Sequence, residues 1–66
     1  MNELEKNQIV TEITTLVATN KKYLIPAIRE KIELAKESLI FHLERGNENH
    51  VRKELDTIYQ IVWENL

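Results

Sequence analysis

Between Leu24 and Arg45 the chain reads LIPAIREKIELAKESLIFHLER, a 22-residue run in which Ile25, Ile28, Ile32, Ala35, Leu39 and His42 recur at steps of three and four. That spacing keeps side chains on one side of an α-helix and is the heptad spacing of a packed seam. The pattern predicts a long amphipathic helix over residues 24–45. A second line, Ala27, Leu34 and Phe41, repeats at steps of seven on another side, with Ile40 and Leu43 between the two lines. In LIFHL the helix is apolar nearly all round, as a helix covered on more than one side would be.

The segments on either side read as partners for this helix. Upstream, Ile9, Ile13, Leu16 and Val17 recur at helical spacing and Val10 widens the stripe, which predicts a first helix over residues 3–18. Asn2 is placed to cap it, with Glu5 three positions on and Glu3 and Glu5 at the positive end of the helix dipole. Thr11, Thr14 and Thr15 lower its intrinsic propensity, so this helix depends on tertiary packing more than the others. Thr19, Asn20, Lys21 and Lys22 interrupt the pattern, and Asn20 suits a left-handed C-cap. Pro26 lacks an N–H and crowds the carbonyl four residues back, a restriction that a first turn tolerates. A break before a helix starting at Tyr23 or Leu24 is favoured over one helix kinked through Lys22.

Downstream, Gly46 is the sole glycine and falls where a helix-ending residue with positive φ is wanted, with Arg45 complementing the dipole in the last turn. Asn47 or Asn49 can cap a third helix over residues 48–65, in which Val51, Leu55, Ile58 and Val62 step by four, three and four and Tyr59, Ile61, Trp63 and Leu66 broaden the apolar side. So short a connection makes the second and third helices an antiparallel hairpin. The fold predicted is all-α, one small three-helix bundle running up, down and up over residues 1–66.

Composition changes this picture mainly by exclusion. A 66-residue chain buries only about 60% of its unfolded surface, so it needs a good core, self-association or a partner. With no cysteine, disulfides and thiolate zinc sites are excluded. The net charge of −2 supplies no overall field towards nucleic acid or an anionic membrane. No apolar run approaches the ~20 residues that span a bilayer, and the acidic, polar MNELEKNQ is unlike a signal peptide, so a cytoplasmic protein is expected. No nucleophile beside a base, phosphate-binding glycine loop or pocketed carboxylate pair is present, which points away from an enzyme and from any cofactor. His42 and His50 straddle the Gly46 turn, but the nearby Glu44, Glu48 and Glu54 do not fall into a metal-binding spacing, and no metal site is expected.

Two short motifs resemble known ones. Phe41-His42-Leu43-Glu44-Arg45-Gly46 resembles the phosphoacceptor loop of histidine phosphotransfer domains, with a basic residue three positions and a glycine four positions after the histidine. That family is a four-helix bundle in a longer chain whose helix continues past the glycine, whereas Gly46 reads as a terminator. Glu54-Leu55-Asp56 is similar to the end of the Ser-Gln-Glu-Leu-Asp motif of small sporulation aspartyl-phosphate phosphatases. Arg52 and Lys53 stand where its Ser-Gln pair would be, so the activity is not carried over.

What remains is surplus apolar surface. Either the central helix is covered on both flanks by its neighbours, or one flank stays open as an interface. The interface expected in the second case comprises Ala27, Leu34, Ile40, Phe41 and Leu43 of the central helix with Tyr59 and Trp63, whose aromatic rings suit an anchoring role. The function expected is a non-enzymatic protein–protein interaction module: an adaptor, small chaperone or co-chaperone, or antagonist of a regulator, forming a homodimer through the central and third helices. The alternative is a small dimeric DNA-binding regulator using Lys21, Lys22 and Arg29.

Overall fold

Asn2 accepts the Glu5 N–H at 2.8 Å on its side-chain oxygen, which satisfies one of the unpaired donors of a helix start. The computed structural model describes residues 2–66. From this cap, α1 runs over Glu3–Asn20, α2 over Pro26–Glu44 and α3 over Glu48–Glu64, with a short 3-10 turn at Lys21–Tyr23. The protein is an all-α three-helix bundle. Its long dimension is 33 Å.

The α1–α2 connection differs from the expectation in two ways. Helix α1 continues to Asn20, whose φ of −105° is not left-handed. Its side-chain amide donates to the Leu16 carbonyl at 2.9 Å, and the chain tightens directly into the 3-10 turn with no left-handed residue between. Helix α2 begins at Pro26, two residues later than residue 24, because a residue before proline is driven out of the helical region. Ile25 accordingly has ψ 155° and is 62% exposed, while Leu24, outside the helix, is 4% exposed and takes the core place predicted for Ile25. The two helices are separate, joined through the 3-10 turn and two extended residues.

At the other end of α2, Gly46 has φ 72°, a conformation that side-chain-bearing residues adopt at a cost. Its N–H donates to the Leu43 carbonyl at 3.2 Å and the Asn47 N–H to the His42 carbonyl at 3.0 Å, which is a Schellman motif. Arg45 lies one position past the helix, and its guanidinium covers the Phe41 ring at 4.4 Å. Asn47 precedes α3 without capping it. Its side-chain nitrogen lies 3.3 Å from His42 Nδ1, a polar version of the side-chain contact that usually closes this motif. His42 also stacks on His50 with ring centroids 4.7 Å apart, and Phe41 meets its edge. The half-buried histidine at the end of the predicted seam thus packs its ring within the turn.

The core is built from matched spacings. Helix α2 contributes Ile32, Leu39 and Leu43, and α3 contributes Val51, Ile58 and Val62, each set at steps of seven and four. Leu24 and Ile13 complete it, with Ile28, Ala35, Leu55 and Ile61 among the half-buried side chains around it. Ser38 Oγ donates to Glu54 Oε1 at 3.0 Å, a polar tie between α2 and α3. These two helices form the closest pair. Helix α1 supplies one fully buried residue, Ile13, so it is the least anchored element. Among the described residues no helix is long and apolar enough to cross a membrane.

Candidate interaction surfaces

The seven residues expected to form one interface are divided among three environments. Leu43 is 3% exposed and belongs to the core, because it continues the Ile32–Leu39 line towards α3; this corrects its assignment to an interface. Ile40 is half-buried on the flank of α2. Ala27, Leu34 and Phe41 are exposed on the outer side of α2, Leu34 at 63% and Phe41 at 50%. Tyr59 and Trp63 are brought to a different place, the groove between α3 and α1.

That groove, about 500 Å³ in volume, has Leu16, Thr19 and Asn20 of α1 on one wall and Tyr59 and Trp63 of α3 on the other. Trp63 is 61% exposed in it. A neighbouring hollow of about 350 Å³ shares Asn20 and adds Tyr23 and Leu66. Three of the four aromatic residues of the chain therefore gather at one end of the bundle. One aromatic wall opposite Leu16, edged by the polar Glu12, Thr15, Thr19 and Asn20, suits an inserted apolar side chain with polar groups at its rim, as in helix-in-groove recognition. The spacing of α3 had marked Tyr59, Trp63 and Leu66, but Tyr23 lies outside every periodic run and was missed. The available signal was an aromatic residue, Tyr23, inside an otherwise polar interruption.

One polar contact closes the inner wall. The Tyr59 hydroxyl donates to the Glu12 carboxylate, joining α3 to α1. This hydrogen bond, with some desolvation and the carboxylate charge, holds the Tyr59 phenol above its ordinary pKa. The folded state thus retains that proton more tightly than the unfolded chain. The stability contributed is complete below the phenol's usual pKa of about 10 and is lost as pH rises through the higher folded value. Expected is an alkaline destabilisation in thermal melts above pH about 10 that shrinks in Tyr59→Phe. An unchanged alkaline limb in that variant would rule out the contact as its source.

The basic residues are also sorted by the fold. Lys21 and Arg29 face a common groove between α1 and α2, about 380 Å³, joined by Lys36 and by Glu33, with Val17 and Ala18 as apolar lining. Lys22 is elsewhere, its ammonium over the Tyr23 ring at 5.1 Å. Among the described residues Lys21, Arg29 and Lys36 make no ion pair. Nearness along the chain had marked Lys21, Lys22 and Arg29; Lys36 was missed although it stands seven residues after Arg29 on the same side of α2, and the α1–α2 packing adds Lys21 to their groove.

Comparisons with protein families, with curated proteins and with solved structures found no match to this chain. Its surfaces are therefore the basis for a functional reading.

Proposed function

We propose that this chain is a non-enzymatic protein–protein interaction module, an adaptor, small chaperone or co-chaperone, or antagonist of a regulator, that self-associates through α2 and offers the aromatic groove of α1 and α3 to a partner. One observation carries the reading. Eight apolar side chains form the core, while seven large ones, among them Leu34, Phe41 and Trp63, are at least half exposed. A chain that must stabilise itself from so few buried residues gains most by placing apolar groups inside, and contiguous outward-facing ones mark contact surfaces. The shallow grooves offer room for inserted side chains rather than an enclosed substrate.

The test is the mass in solution by light scattering, from low micromolar concentration upwards. Wild type is expected to approach the dimer mass and Leu34→Glu to remain a monomer with unchanged helicity, since Leu34 supports nothing in the core. Monomer mass for wild type throughout the range would overturn self-association.

A second reading, a dimeric DNA-binding regulator, is favoured by the three cations around the α1–α2 groove. It predicts duplex DNA retention that weakens steeply with salt, as phosphate neutralisation requires, and is lost in the Lys21→Glu, Lys36→Glu double variant. Absence of retention at low salt would remove it.

A further inference from the structure

The outer side of α2 carries three rows of residues, each repeating every seven positions. Ala27, Leu34 and Phe41 form the apolar row, Glu30, Glu37 and Glu44 lie along one flank, and Lys31, Ser38 and Arg45 lie along the other. At about 100° per residue, Ala27 and Phe41 fall within about 20° of Leu34, the glutamates about 40–80° to one side, and the opposite row about 20–60° to the other. Apart from half-buried Ser38, all these residues are exposed. Neither α1 nor α3 covers the apolar row. No ion pair within the described residues engages Glu30, Glu37, Glu44 or Lys31.

A strict seven-residue repeat suits a second helix lying alongside at a small crossing angle. We infer that this helix is α2 of a second copy of the chain, and that the two α2 helices run parallel about a two-fold axis along their length. The inference rests on the self-association proposed above and adds its surface and orientation.

The charges decide the orientation. In a parallel pair the two-fold axis sets the acidic flank of each copy against the basic flank of the other. Glu30 then faces Lys31 of the partner subunit, and Glu44 faces Arg45 of the partner subunit. In an antiparallel pair the axis is perpendicular to the helices, and like flanks meet. Three glutamates would then confront three glutamates across the seam, which is unfavourable. The basic row is interrupted at Ser38, whose hydroxyl is engaged by Glu54, so attraction is concentrated at the two ends of the seam. The seam is one helix wide per copy and is flanked by exposed charge pairs, so the dimer is expected to weaken with salt.

The absence of cysteine from the sequence makes a clean test available. Ala27→Cys and Phe41→Cys are surface replacements, each oxidised alone and as an equal mixture, beside an Asp56→Cys control on the exposed side of α3. A parallel seam makes each of the first two variants cross-link to itself, at least tenfold faster than the control, with loss of cross-linking when Leu34→Glu is added. Cross-linking confined to the mixture would establish the antiparallel arrangement and overturn the inference. A dimer mass with cross-linking no faster than the control would overturn the α2 seam while leaving self-association in place. A monomer mass, which would leave α2 open to a helix from another protein, would overturn both.

Discussion

Replacing Leu39 by alanine should destabilise the bundle by about 2–5 kcal/mol, the range for truncating a packed leucine. Leu39 is fully buried, and it lies midway along the α2 core line between Ile32 and Leu43. The cost combines the lost transfer of its methyl groups from water with the cavity left among rigid neighbours. At about 0.05–0.15 kcal/mol per residue a chain this size holds only about 3–10 kcal/mol in all. The variant should therefore be partly unfolded at room temperature or melt far earlier, since each kcal/mol shifts Tm by about 4–8 °C in so small a domain. Thermal melts followed by far-ultraviolet circular dichroism measure this. A shift below about 5 °C would show that Leu39 is not at a packed centre.

The second large effect is expected at Ile13. Its truncation to alanine should cost a similar amount, about 2–5 kcal/mol, but with a different distribution. Ile13 is the one fully buried side chain of α1, whose other contacts are partial. Hydrogen exchange should show α1 amides losing protection first. The α2–α3 hairpin should then lose protection as well, because fewer than about 40 residues seldom sustain a fold without a staple. Leu4→Ala, at a residue 66% exposed on the same helix, serves as the control and should change stability by no more than about 0.5 kcal/mol. Full protection of α2 and α3 in Ile13→Ala would mean that the hairpin stands without α1.

The bundle was legible in the sequence because its helices are joined by signals of different physical kinds. Gly46 could be read as a terminator since positive φ has few other occupants, and structure and expectation agree there. The predicted seams likewise contained Ile32 and Leu39 of α2 and Val51, Ile58 and Val62 of α3. Helix α2 starts later than the hydrophobic spacing predicts, because Pro26 disfavours helical geometry at Ile25 even though Ile25 fits the apolar period. Leu43 could have been assigned correctly from the same spacing, as it follows Ile32 and Leu39 at eleven and four, while Phe41 points the other way. The gathering of Tyr23 with Trp63 and Leu66, and of Lys36 with Lys21, could not be read. Each depends on how α1 lies across the hairpin, which no local period encodes.

The single deep anchor of α1 has a consequence for the order in which the chain can assemble. During synthesis α1 leaves the ribosome first, yet the cluster that receives Ile13 also contains Ile58 and Val62, near the end of α3. Until those residues emerge, α1 has an incomplete seat, whereas α2 and α3 need only close a short turn upon each other. The hairpin is thus the natural nucleus, formed from contacts close in sequence, and α1 docks upon it last. The helix made earliest is the one that waits, and its apolar stripe stays open to other chains throughout that interval.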